Sequence, residues 1–176
     1  MFIYSNILRT HQKLKIDFKD ILTIVVLRHP NRNAEVEKIL QNIKFSQRSK
    51  NQKITKDTEI YLVDTIGELE SFYQLADFSF IGGSLMEIGG HNPFEAIANN
   101  CAVISGKNVF NFKDIYENLE KSDSCILVKN SDELYEKARE LLTDANKIKS
   151  LNANARKNFS ASQNLAQKLI EQINLD

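Results

Sequence analysis

Only two of the 176 residues are cysteine, and they do not pair in any metal-binding spacing. Cys101 lies in NNCAVIS and Cys125 in DSCILV, so both read as buried free thiols rather than a disulfide. No CxxC pair or His/Cys cluster offers a structural zinc site. Net charge is missing too, because 23 Lys plus Arg balance 23 Asp plus Glu. That excludes nucleic-acid binding through a global basic field. No apolar run approaches the ~20 residues that span a bilayer, so no membrane span is expected. The segment up to Lys15 lacks the apolar region and small-residue cleavage site of a secretory signal. These absences point to a soluble, cytoplasmic chain. Its length suits one domain over 1–176, and 42% apolar content supports an ordinary core.

What is present is a regular alternation of short apolar runs and amphipathic segments. Ile21 to Leu27, Glu59 to Asp64, Phe78 to Gly83, Cys101 to Ser105 and Cys125 to Lys129 read as strands. Between them, Val36, Ile39, Leu40 and Ile43 fall at helical spacing, as do Leu69, Phe72 and Tyr73. Ile3, Ile7, Leu8 and Leu14 suit a first helix, and 144–176 forms a C-terminal helical segment. A weak sixth strand lies around Lys44 to Arg48, followed by a polar loop to Thr58. This order predicts an α/β, Rossmann-like open parallel sheet with helices on both faces. Ligands of such folds bind at the C-terminal edge of the strands. A doubly wound domain that opens on a helix also reads as the second half of something larger.

The chemistry concentrates in GGSLMEIGGHNPFEA, Gly82 to Ala96. Two glycine pairs bracket a strand-to-helix loop, which lets backbone amides approach a ligand. Asn92 suits an N-cap, Pro93 the first helical position, and Glu95 the closing residue of a capping box. The spacing fits neither a GxGxxG fingerprint nor a P-loop. A glycine turn feeding a capped helix at this edge favours a phosphate or nucleotide.

The same segment resembles the signature of the 3-deoxy-D-manno-octulosonic acid (Kdo) transferases of lipopolysaccharide synthesis, GGSLxxxGGHNPLEPA. LRHPNR (Leu27 to Arg32), VDTIGELESFYQLADFSFIGG (Val63 to Gly83) and NVFNFKDI (Asn108 to Ile115) resemble further segments of that family, in family order. The resemblance implies the C-terminal domain of a GT-B glycosyltransferase, which holds the donor CMP-Kdo without a cofactor. Three CMP-contacting motifs then fall on Leu27 and Arg28, on Ile66, Gly67 and Glu68, and on Asn92, Pro93, Phe94 and Glu95. Leu27, Ile66 and Phe94 depart from the family's Pro, Met and Leu. Gly83, Ser84, Gly90 and His91 form a candidate donor loop.

The residues themselves leave several roles open. Arg28 suits phosphate or carboxylate. Glu68 is either a ligand contact or a first-turn carboxylate serving the helix dipole. Glu95 either meets the ribose hydroxyls or completes the capping box, and His91 either meets the donor or shapes the loop. Ser84 either donates to the donor or caps the turn. Asn111 suits a cap for the next helix, and Phe110 and Phe112 suit the core. No carboxylate pair of the DxD kind lies at the ligand edge, so no metal site is expected.

The resemblance places the acceptor site, the membrane-associating region and the catalytic base in an N-terminal domain absent from these 176 residues. No catalytic residue is therefore expected in this chain, and the isolated chain is expected to be inactive. The lipid A precursor would be met through the missing half, at the cytoplasmic face of the bacterial inner membrane. Two other readings compete: a domain using another nucleotide sugar such as a UDP-sugar, and a non-catalytic remnant or partner-binding domain.

Overall fold

The computed structural model describes residues 2–173, with side chains described over 4–160. Helix α1 (Phe2–Asp17) precedes strand β1 (Thr23–Val26), a 3-10 turn (Pro30–Arg32) and α2 (Asn33–Leu40). Then follow β2 (Phe45–Gln47), β3 (Ile60–Val63), α3 (Leu69–Leu75), β4 (Phe78–Ile81) and α4 (Phe94–Ala98). The chain continues through β5 (Ala102–Gly106), a second 3-10 turn (Phe110–Phe112) and α5 (Lys113–Lys121). It ends with β6 (Ile126–Val128), α6 (Ser131–Thr143) and α7 (Ala145–Ile173).

Every described strand pair is parallel, but the strands form two sheets instead of one. One runs β1-β3-β2 and the other β4-β5-β6. Strand β5 shows why the second sheet is covered on both faces. Val103 joins a core with Ile81, Ile97, Tyr116 and Leu119, while Ala102 and Ile104 join another with Leu134, Ala138 and Leu141. Alternate side chains of one strand point to opposite faces, so both faces need helices. Ile60, Leu62, Val36 and Leu40 build the core of the first sheet.

Helix α1 touches both units. Leu8 packs with Leu27, Ile60 and Leu62, whereas Leu14 packs with Ile104 and Leu141. This double contact accounts for the leading helix within the domain's own packing. Ile3, read as part of the same apolar stripe, lies outside the residues whose side chains are described.

His11 of α1 is 1% exposed. Its Nδ1 lies 2.8 Å from Thr23 Oγ1, and its Nε2 lies 3.7 Å from Glu59 Oε2. Burial lowers its pKa, and the nearby Glu59 carboxylate only partly offsets that. The folded chain therefore binds this proton less readily than the unfolded chain does. Stability from the neutral ring is fully present above the ordinary histidine pKa of about 6.5 and declines as pH falls through and below it. Urea midpoints between pH 7.5 and 5 are expected to decline less in His11→Gln than in the unaltered chain. Parallel declines in the two would remove His11 as the cause.

Candidate functional site

The site lies at the C-terminal edge of the strands, as the topology requires. β1 and β3 run in parallel register, with Val26 opposite Val63. The residues that follow them, Arg28 and the turn from Thr65 to Glu68, therefore leave the sheet side by side. Leu27 is the last residue held by the strand ladder, its N–H donating to Val63 O at 2.9 Å. Its side chain is 3% exposed and belongs to the core, which removes it as a side-chain contact for a ligand. Arg28, the next residue, is exposed.

Arg28 reaches across to the other sheet. Its Nη1 lies 2.6 Å from His91 Nδ1, in the glycine-rich segment after β4. A guanidinium only donates, so His91 Nδ1 accepts and the ring carries its proton on Nε2. Burial lowers the His91 pKa, and the charges of Arg28 and His29 lower it further, which keeps the ring neutral near pH 7. The His91 carbonyl is held as well, accepting from Tyr116 Oη of α5 at 2.9 Å. Arg28 and the glycine loop thus meet at one place, with His91 as the joint.

The loop is anchored from beneath by Ser84, which is fully buried. Its hydroxyl donates to Ile81 O at 2.6 Å and accepts from Gly106 N–H at 2.7 Å. Its carbonyl accepts from Asn108 N–H at 2.9 Å. Of the two roles open to Ser84, the structure places it in the turn-holding one. Gly83, Gly89 and Gly90 adopt positive φ, and Gly90 N–H closes the turn on Gly83 O at 3.1 Å. Gly82 lies beside them with open space, among the described residues, where a β-carbon would sit.

At the start of α4 the N-cap falls on Pro93 instead of Asn92, and Asn92, one residue earlier, accepts from Phe94 N–H through its Oδ1 at 2.9 Å. Pro93 is buried beneath the turn. Phe94 faces away from the edge, its ring 5.4 Å from that of Phe159 on α7, so it is a packing residue rather than a side-chain ligand contact. Glu95 is exposed and makes no side-chain hydrogen bond among the described residues, so its carboxylate does not close a capping box. Its charge is felt by Tyr73, whose pKa rises to about 12 through burial first and Glu95 second. Helix α4 has only five residues, so any anion here would be met by individual amides more than by a long helix dipole.

Beyond β3, Ile66 is 83% exposed and Gly67 has φ +89°. Glu68 accepts from Arg48 Nε at 3.0 Å and from Arg48 Nη2 at 2.6 Å, and Thr65 Oγ1 also donates to it. These bonds, that from Arg48 above all, lower the Glu68 pKa. Arg48 was not legible as a site residue, because it sits in a polar loop and its partner is 20 residues away in sequence. Two further expectations are corrected. Asn111 does not cap α5, since its Nδ2 donates back to Ile88 O at 3.4 Å. Phe110 is 63% exposed beside the glycine loop, while Phe112 packs against the core as expected. Cys101 and Cys125 are buried free thiols, and burial pushes the Cys125 pKa to about 12.

Among the described residues, no helix is long and apolar enough to cross a membrane. None of them form a group of three or more His, Cys, Asp or Glu placed to hold a metal. Parallel sheets covered by helices, with an arginine, a glycine turn and a helix start at the strand ends, define a Rossmann-like domain with a place for an anionic ligand.

Sequence comparison makes the family explicit. The model of the glycosyl transferases group 1 matches residues 32–158, and the chain belongs to that family. A 3-deoxy-D-manno-octulosonic acid transferase of Haemophilus influenzae is 35% identical over 151 residues, 85% of this chain and 35% of that protein. A probable mitochondrial transferase of the same name from Arabidopsis thaliana is 36% identical, over 66% of this chain and 27% of that protein. The chain thus spans about a third of the length of such relatives. Among solved structures, the C-terminal CMP-Kdo binding domain of WaaA from Acinetobacter baumannii superposes with a TM-score of 0.82 at 31% identity. That match covers 86% of this chain and 80% of the solved domain.

Proposed function

We propose that these residues form the donor-holding domain of a Kdo transferase, and that CMP-Kdo lies along the edge where Arg28 meets the glycine loop. The Arg28–His91 contact carries this reading, because it unites the ends of two separate sheets in one cationic, amide-lined place. The likeness to a CMP-Kdo binding domain over most of its length supports the choice of nucleotide.

In this reading Arg28 and the amides around Pro93 face the donor phosphate. Asn92 and Glu95 lie toward the ribose, where the Glu95 carboxylate, without a side-chain hydrogen bond among the described residues, accepts from hydroxyl groups. The backbone of Ile66 and Gly67 forms a further wall, together with Gly83, Gly90 and His91 of the loop. Leu27, Pro93 and Phe94 support this surface from within the core. The reaction served is attack by a lipid A precursor hydroxyl on the anomeric carbon, with CMP as leaving group. Negative charge grows on the departing phosphate, and a fixed guanidinium with oriented amides stabilises it there. The acceptor and the catalytic base belong to the relatives' remaining length, and the full enzyme would work at the cytoplasmic face of the inner membrane.

Calorimetry with CMP and with UDP tests the reading. Saturable CMP binding, with UDP at least about tenfold weaker, is the expected result. Clear UDP preference would point to a different nucleotide sugar, and binding of neither would favour a non-catalytic domain. Kdo transfer to a lipid A precursor by the 176 residues alone is expected to be negligible, and steady turnover would overturn the division of labour.

A further inference from the structure

The turn between β3 and α3 is held from outside by a side chain that no motif reading singled out. Asp64, 8% exposed, closes β3. Its carboxylate accepts from Ser49 N–H at 3.0 Å, from Ser49 Oγ at 2.6 Å and from Gln47 Nε2 at 2.7 Å. These bonds fasten the segment after β2 onto the end of β3. The same segment folds on itself, with Gln52 Oε1 accepting from Gln47 N–H and Asn51 N–H donating to Arg48 O. Arg48 N–H also donates to Leu62 O at 2.9 Å. Its backbone is therefore fixed on both sides before its side chain makes any contact.

From that platform the Arg48 guanidinium grips Glu68 through two nitrogens. Thr65 Oγ1 donates to the same carboxylate. Thr65 and Glu68 are the two ends of the turn whose tip is Ile66 and Gly67. Gly67 has φ +89°, a conformation that free chains leave readily without a constraint. A planar guanidinium holding a carboxylate in this way is a directional clamp rather than a diffuse surface attraction.

We infer that Arg48 is a positioning residue of the nucleotide site, and that Glu68 acts as its clamp partner instead of as an acceptor for the ligand. The clamp sets the Ile66–Gly67 turn in the shape that receives the nucleotide. Both carboxylate oxygens of Glu68 already accept from Arg48 or Thr65, which leaves it poorly placed to receive further donors. Glu95, exposed and without a side-chain hydrogen bond among the described residues, is an acceptor available to a ligand. This inference rests on the proposed CMP site.

The test is a double-mutant cycle on the whole 176-residue chain, with CMP as probe and a urea curve for each variant. Arg48→Ala and Glu68→Ala are each expected to weaken CMP about tenfold and to speed amide exchange at Ile66 and Gly67. Arg48→Lys, which keeps the charge and loses the fork, is expected to weaken CMP by about three- to fivefold. The reciprocal exchange, Arg48→Glu with Glu68→Arg, is expected to recover most of the affinity, because only the pair matters. A general loss of stability would not produce that recovery. If the exchange binds no better than Glu68→Ala, Glu68 touches the ligand itself and the inference fails. If Arg48→Ala binds CMP like the unaltered chain, it fails as well. Failure of the unaltered chain to bind CMP would sink the proposed site and this inference together, whereas the other two outcomes sink the inference alone.

Discussion

Gly106→Ala is expected to lower folding stability by about 3 kcal/mol or more, the upper end of what overpacking costs. A β-carbon on Gly106 would sit 2.0 Å from Ser84 O, 2.2 Å from Ser84 C and 2.6 Å from Leu85 N. All three are backbone atoms, so no side-chain rotation relieves the clash. The glycine loop must lift off β5, and that would also break the bonds from Gly106 N–H to Ser84 Oγ and from Asn108 N–H to Ser84 O. Because the loop carries His91, CMP binding should fall with stability. Gly82→Ala is the matched control, since nothing lies within 4 Å of the position its β-carbon would take. Its stability should stay within about 1 kcal/mol of the unaltered chain. A urea midpoint for Gly106→Ala equal to that of Gly82→Ala would contradict the close approach of β5 to the loop.

Arg28→Ala should weaken CMP by about 10- to 100-fold, the range of one lost charge-assisted hydrogen-bonding group worth ~1.5–3 kcal/mol. Stability should barely change, because the side chain is exposed and, among the described residues, makes one hydrogen bond, to His91. Arg28→Lys should fall between the two, keeping the charge but losing the planar fork. Binding should also weaken with added salt in the unaltered chain more than in Arg28→Ala, since a screened cation is what has been removed. Unchanged affinity in Arg28→Ala would mean that the arginine serves only to orient His91. The reading of this edge as a phosphate site would then lose its main support.

The order of strands and helices was legible because buried strands such as Ile60 to Val63 are nearly continuous apolar runs. The glycine loop was legible from glycine spacing and from Asn92, which binds the Phe94 N–H although the N-cap itself falls one residue later, on Pro93. Strand β2 was faint for a definite reason. Ser46 and Gln47 are buried polar residues, held by Lys53 O, Thr58 and Asp64 through Ser46 Oγ and Gln47 Nε2, contacts that hydrophobic periodicity does not register. The split of the strands into two sheets was hidden as well, because alternation gives order but not pairing. Leu27 and Phe94 illustrate a further limit. A motif marks a stretch of chain, while the fold decides which of its side chains face the core, and these two do. Arg48 was missed because long-range charge pairs leave no local trace, and its loop carries several other cations. Ser84 and Glu95 show the opposite situation. The residues allowed two roles each; burial gives Ser84 the turn-holding one, and the lack of a side-chain hydrogen bond among the described residues rules out the capping box for Glu95.

The central claim is that one edge, built from the ends of β1, β3 and β4, receives CMP. Titrating CMP into the isotope-labelled domain and following its backbone amides tests this most directly. The account predicts saturable shifts at Arg28, Ile66, Gly67 and the amides from Gly82 to Glu95, with little change around His11 at the far end of the strands. Shifts scattered over the surface, or confined to residues away from that edge, would contradict it.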